Sequence, residues 1–225
     1  MTATAYDAGM ATFRASLDEA KAARPSEVWR VGGRRTRAYP DKENEAWWYT
    51  EGAKLVHAYY DFRMTYPNLR IWRTPTDIPA IELEMNVRIS DEVTLKCFVD
   101  RVFEDTKTGD LLLVDLKTGK APPSALQLAV YNLALQETFG TSCRYGSYWL
   151  ARQGSLDTIH DLTALPHHTV RTWLIDTTTQ IRAGRFVPKM SERCGYCGVK
   201  EHCYAWNPTL TPNSHLPLEI TERKE

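Results

Sequence analysis

No run in the chain approaches the roughly 18 consecutive apolar residues of a membrane span, so a helical membrane protein is not expected. The opening segment, MTATAYDAGM, lacks the charged start and long apolar core of a signal peptide, and a cytoplasmic location is the expectation. There is no net charge: 28 basic and 28 acidic residues cancel, so any nucleic-acid partner must be met by local fields rather than the total. The chain lacks internal repeats and long low-complexity linkers. Cysteine is scarce and odd in number (Cys97, Cys143, Cys194, Cys197 and Cys203), which argues against a secreted disulfide scaffold. The glycine-rich lead that a phosphate loop needs before Thr118-Gly119-Lys120 is also missing.

What remains is enough for one domain with a sizeable core, since 43% of the 225 residues are apolar. The reading is a single domain over 1–225: an N-terminal helical and irregular region at 1–44, a core at 45–190, and a cysteine segment and tail at 191–225. Helices are predicted over 7–24 and 45–65, the second with Trp48, Leu55, Val56, Tyr59 and Phe62 near helical spacing and Pro67 helping to end it. Pro25, Gly32, Gly33 and Pro40 make 25–44 irregular. Strands are predicted at 81–90, 93–104 and 110–116, with turns at Ser90-Asp91-Glu92 and Lys107-Thr108-Gly109-Asp110. Pro122 and Pro123 precede a helix to about 138. Strands over 144–150 and 155–160 and a helix over 165–184 complete an α/β chain with a central mixed sheet flanked by helices. Two patches are basic. One holds Lys21, Arg24, Arg30, Arg34, Arg35 and Arg37; the other holds Arg182, Arg185, Lys189, Arg193 and Lys200. Each is either a solvated face or a set of phosphate contacts.

The chemistry concentrates at two strand ends. Asp100 closes Lys96-Cys97-Phe98-Val99, and Asp115 closes Leu111-Leu112-Leu113-Val114. Adjacent hairpin strands can bring these carboxylates together, and Lys117, two residues on, shares the face of Asp115. Mg²⁺ and Mn²⁺ need hard oxygen ligands, which Asp100, Asp115 and the backbone carbonyl of Leu116 can supply. Lys117 could then orient water or steady developing negative charge. Asp-x-Lys alone is a common tripeptide, and Asp115 could equally open the turn at Thr118-Gly119. The order of the pieces singles it out: strand-end aspartate, hairpin, strand-end Asp-x-Lys, then a helix carrying Gln127 and Tyr131 at i and i+4 on one face.

Val99-Asp100-Arg101-Val102, Val114-Asp115-Leu116-Lys117-Thr118-Gly119-Lys120 and Gln127-Leu128-Ala129-Val130-Tyr131 together resemble the PD-(D/E)xK nuclease superfamily, and within it the RecB-like and Cas4-like exonuclease branch. The resemblance covers roughly residues 45–205. It implies a restriction-endonuclease-like core and phosphodiester hydrolysis leaving a 5′-phosphate and a 3′-hydroxyl. Asp100, Asp115, Lys117, Gln127 and Tyr131 would act at the site, the last two supporting the lysine or substrate. It implies a metal ligand at His57, because Glu51-Gly52-Ala53-Lys54-Leu55-Val56-His57 is similar to the branch's upstream helix motif; read alone, His57 is a packing or helix-face histidine. It also implies a glutamate on the first sheet strand, where Glu82 and Glu84 share a face and Glu84 is preferred. The partner implied is DNA with an accessible single-stranded end, and Trp47, Trp48 and Tyr49 are candidates for a stacking platform or for core. An endonuclease for branched DNA and a noncatalytic nucleic-acid-binding protein on the same fold are the alternatives. Unwinding, where needed, would come from a helicase or recombination partner.

Cys194-Gly195-Tyr196-Cys197 and Cys203 have C-x2-C-x5-C spacing. Three close thiolates are the donors of a soft metal or an iron–sulfur cluster. Buried free cysteines, or a zinc site recruiting His202, are the other readings. The segment is similar to the late cysteines of Cas4-like nucleases, which with one early cysteine hold a [4Fe–4S] cluster. That resemblance makes the cluster the leading expectation and Zn²⁺ the alternative, with a role in holding the C-terminal segment. The chain departs from the pattern in having no cysteine before Cys97.

Overall fold

The computed structural model describes residues 3–23, 44–119, 124–185, 188–191, 194–195, 197–207 and 209–210. The irregular stretch expected over 25–44 lies outside them, apart from Asn44. So do Arg24, Arg30, Arg34, Arg35 and Arg37 of the first basic patch, Lys120, Pro122, Pro123, Arg193 and Tyr196. The chain divides into two compact units: Met1–Val87 with Leu95–His167, and Arg88–Thr94 with His168–Glu225.

The first unit begins with α1 (Ala3–Ala23). The single helix expected over 45–65 is built in three pieces: α2 (Glu45–Trp47), a π-helical turn (Trp48–Gly52) and α3 (Ala53–Thr65). Asn44 starts it, its side chain accepting from Trp47 N at 3.0 Å, so one orphan amide is capped. Gly52 sits in the π turn because helices crowd there: a Cβ at this position would lie 2.9 Å from both Phe13 Cζ and Trp48 Cε3.

The strands are β1 (Leu69–Ile71), β2 (Ile81–Arg88), β3 (Thr94–Asp105), β4 (Leu111–Lys117), β5 (Tyr145–Leu150), β6 (Ser155–Leu156) and β7 (His160–Asp161). They form one mixed sheet of order β1-β3-β4-β5-β6, with β2 also on β3 and β7 also on β5. Only β4 and β5 are parallel among the registered pairs, and α4 (Leu126–Phe139) makes the crossover between them. β1 escapes sequence reading because three residues are too few to show a period. The strand expected over 155–160 is two fragments. Between them the carbonyls of Asp157 and Thr158 turn to the buried Ser147 hydroxyl, 3.2 Å from each.

Alternation along β4 sorts its side chains. Leu112, Val114 and Leu116 join Phe62, Phe103 and Trp149 in the core on the α3 side. Leu113, Asp115 and Lys117 point to the other face, toward α4, whose Leu128, Ala129, Asn132, Leu133, Ala134 and Leu135 are buried. A helix apolar on most sides belongs inside a layered α/β core.

In the second unit, α5 (His167–Arg182), whose first residue lies in the first unit, is tied to the 88–94 turn. Arg171 Nη1 donates to Ile89 O, and Arg182 Nη1 lies 2.6 Å from Glu92 Oε2. Among the described residues no helix is long and apolar enough to cross a membrane.

Candidate active site

β3 and β4 pair antiparallel with Arg101 opposite Val114. One further step of that register sets Asp100 opposite Asp115, on the same face, which is how two carboxylates far apart in sequence come to share a site. Asp100 Oδ2 accepts from Leu116 N at 2.7 Å, so the aspartate of one strand is fastened to the main chain of the other. The adjoining Arg101 goes to the opposite face, where its Nε donates to Tyr59 OH at 3.3 Å.

Asp115 is 2% exposed, an unusual place for a charge. Burial pushes its carboxyl above the ordinary 3.8, the Lys117 ammonium pulls it back, and the charges of Asp100 and then Glu82 push it up again. Gln127 Nε2 donates to Asp115 Oδ1 at 3.0 Å and lies 2.8 Å from Tyr131 OH. Lys117 Nζ lies 2.6 Å from Asp115 Oδ2, yet no hydrogen bond of proper alignment reaches that buried oxygen. The ion pair is a matter of charge at short range, and a lone pair of Oδ2 is left without a donor.

Tyr148 completes this cluster, and no short motif flags it. It stands beside Asp115 in the parallel register, fully buried, with Lys117 Nζ 5.8 Å from its ring centre. Its hydroxyl donates to Ser124 O at 2.9 Å, and burial pushes it up to about 12, so it remains a neutral phenol. The only sequence signal was a large aromatic within the apolar strand 145–150.

Other expected members stand differently. Of the two glutamates, Glu82 is the one whose charge raises the Asp115 carboxyl, as the smallest of its causes, and its carboxylate is 3.5 Å from Arg101 Nη1. Glu82 also has a φ of +48°, a costly backbone for a non-glycine residue. Glu84 pairs with Lys96 at 2.8 Å, and that partner holds it low. His57 Nε2 lies 3.3 Å from Asp61, and its ring packs edge-on to Tyr6. Among the described residues no three His, Cys, Asp or Glu side chains gather as a metal-binding group, so His57 is not assembled with the two aspartates. In the aromatic run, Trp47 is buried and Tyr49 is exposed with its hydroxyl on Asp18.

The donor set nevertheless fits a hard divalent ion. Asp115 Oδ2 is a buried oxygen lacking an aligned donor, Asp100 Oδ2 is fastened to the next residue of the Asp115 strand, and the carbonyl of that residue, Leu116, is a third oxygen. Mg²⁺ in particular is held by one or two carboxylates, keeping waters and taking substrate oxygens for the rest. Cys194, Cys197 and Cys203 are free thiols that are not gathered as ligands, and Cys194 Sγ instead accepts from Ser191 N at 3.3 Å. Burial pushes Cys97 up to about 11 and Cys143 up to about 12, so both are inert thiols inside the first unit. In the second basic patch, Arg182 is engaged with Glu92, and Lys200 lies over the Trp206 ring.

A family model described as the PD-(D/E)XK nuclease superfamily matches residues 4–204. "Gene 69 protein" of Mycobacterium phage D29 is 30% identical over 161 residues, which is 69% of this chain and 58% of that protein. "Gene 69 protein" of Mycobacterium phage L5 is 30% identical over 131 residues, 56% of this chain and 44% of that protein. The chain thus spans about half the length of the curated relatives it matches.

Proposed function

Because the chain belongs to the PD-(D/E)XK nuclease superfamily, we propose that it is a Mg²⁺- or Mn²⁺-dependent deoxyribonuclease that trims DNA ends, of the RecB-like and Cas4-like exonuclease kind. The observation that carries this reading is the buried Asp115 carboxylate, set in register with Asp100 and 2.6 Å from Lys117. Burial disfavours a charge there, and a buried carboxylate perturbed by a lysine and a second carboxylate is the kind of arrangement that active sites use.

Asp100 and Asp115, with the Leu116 carbonyl, are the residues that would hold the ion. When bound, a divalent cation supplies charge against a nonbridging phosphate oxygen and a water of lowered pKa. Gln127 fixes the plane of the Asp115 carboxylate through Oδ1, and Tyr131 holds Gln127 in that pose. Lys117, 27% exposed beside Asp115, turns its ammonium toward the attacking water and the charge developing on phosphorus-bound oxygen. Tyr148 walls this space without a charge of its own. The products are a 5′-phosphate and a 3′-hydroxyl. The substrate is DNA with an accessible single-stranded end, in recombination, repair or end processing, with unwinding left to a partner. The cysteine segment takes no step in this chemistry.

The test is cleavage of end-labelled single-stranded and duplex DNA with Mn²⁺, Mg²⁺ or EDTA, beside Asp115→Ala. Metal-dependent trimming that Asp115→Ala abolishes is the expected result. A folded protein that binds Mn²⁺ and DNA but cuts neither substrate would overturn the enzyme reading in favour of a binding role.

A further inference from the structure

At the carboxyl ends of the parallel pair β4 and β5 lies a cavity of about 350 Å³, wholly within the first unit. Its walls include Trp47, Lys54, Leu55, Ala58, Arg152 and Gly154. In open α/β sheets this end of the strands is where ligands bind. The cavity is also bonded to the catalytic strand: Ala151 N donates to Lys117 O at 2.9 Å, and Arg152 Nε donates to Thr118 O at 2.6 Å.

We propose that this cavity receives one unpaired base of a single-stranded DNA, stacked on the Arg152 guanidinium. The inference rests on the nuclease reading for the identity of its ligand. Arg152 is prepared for stacking. Its guanidinium carbon sits 5.1 Å from the centre of the Trp47 ring, and its Nε is held by the Thr118 carbonyl. A planar cation fixed on one side by an indole and at its root by a carbonyl loses little freedom when a base settles on its outer face. Arg152 remains exposed, whereas Trp47 is only 8% exposed, so the arginine offers the larger stacking surface. The stacking surface expected of Trp47 is thereby transferred to the residue that covers it.

The walls suit a base. Leu55 and Ala58 give apolar surface, while Lys54 and Glu51, 2.7 Å apart, supply a donor and an acceptor. Bases are apolar on their faces and polar at their edges. Gly154 shapes the floor: a Cβ there would come 3.2 Å from Ala58 Cβ, and its φ of +67° favours glycine. A duplex keeps its bases stacked on one another, so the cavity selects a single strand.

The experiment uses the full chain carrying Asp115→Asn, in EDTA, with oligonucleotides bearing 2-aminopurine at either terminus. Single-stranded DNA is expected to bind with fluorescence quenching at one terminus. Adding Arg152→Ala should weaken that binding about tenfold and abolish the quenching. Arg152→Lys keeps a charge without the plane, so it should lose the quenching and retain the salt dependence. Ala58→Glu places a negative charge in the cavity, on a wall that also packs against the core, and in a variant shown to fold should weaken single-stranded but not duplex binding. It decides the matter even if Arg152→Ala fails to fold. Unchanged single-stranded affinity in folded Arg152→Ala and Ala58→Glu would overturn the base site and leave the nuclease reading standing. Equal weakening of single-stranded and duplex DNA would overturn it as well, as a loss of general charge. A parent protein that binds no DNA of either kind would overturn the nuclease reading and the base site together.

Discussion

Asp100, Asp115, Lys117 and Gln127 come from two strands and a helix, yet hydrogen bonds and an ion pair join them into one cluster. Cys194, Cys197 and Cys203 lie within ten residues of one another and form no ligand group. Closeness in sequence is a poor guide to assembly. The sheet register and the hydrogen bonds of Leu116 N to Asp100 and of Gln127 to Asp115 fix where these side chains stand. The cysteines sit around a 3₁₀ turn, Lys200–His202, too short to hold three thiols in a fixed array. Preorganisation comes from the scaffold under the residues.

The sharpest way to break this comparison is Asp115→Asn. Cleavage should fall by about 10³-fold or more, since the main anionic ligand is lost while the shape is kept. Stability should move the other way. The Asp115 carboxyl is raised in the fold, so the folded state binds its proton more tightly than the unfolded one, and stability falls as pH rises from 3.8 through the raised value. At neutral pH the charge is a cost that asparagine removes. The variant should therefore melt no lower than the parent at pH 7, with the gap narrowing toward acid pH. Mn²⁺ should raise the melting temperature of the parent and not of the variant. Lower stability in Asp115→Asn, measured by thermal melts across pH, would mean that the ion pair with Lys117 outweighs the burial.

Lys117→Ala comes next. It should lower cleavage by about 10²- to 10³-fold while keeping the Mn²⁺-induced rise in melting temperature, because the two carboxylates remain. Loss of both together would make Lys117 a support for the metal ligands and not a group acting on phosphate. Gln127→Ala is milder: it strips Asp115 Oδ1 of its donor, and a fall of about tenfold in cleavage is expected, with a weaker apparent Mn²⁺ affinity. Titration of activity against Mn²⁺ checks it, and an unchanged midpoint would remove Gln127 from the metal's support.

The sheet and most of its strand limits were legible because alternation in β2 and the apolar run in β4 report burial directly. The pairing of Asp100 with Asp115 followed from two aspartates that each close an apolar run on either side of one hairpin, although Asp100 lies in the middle of β3. The choice between Glu82 and Glu84 did not, because residues two apart share a face. What separates them is a strained φ at Glu82 and the reach of Arg101, neither of which a period encodes. Tyr148 was hidden for a related reason: a buried tyrosine in an apolar strand reads as core until its neighbour in a parallel strand is known. The π turn at Trp48–Gly52 was hidden because an inserted residue leaves the helical pattern nearly intact.

The smallest effect is expected from the other member of the comparison. With Cys194, Cys197 and Cys203 all changed to Ser, cleavage should change less than about twofold and the melting temperature should stay within the usual range of surface substitutions. The thiols are half-buried or exposed, so serine costs no packing. Metal analysis of anaerobically purified parent protein should find neither iron nor zinc in proportion to chain. Stoichiometric iron with visible charge-transfer absorption would show that these thiols are drawn together by a cluster. The two regions would then differ only in which partner sets the geometry, the backbone in one and the metal in the other.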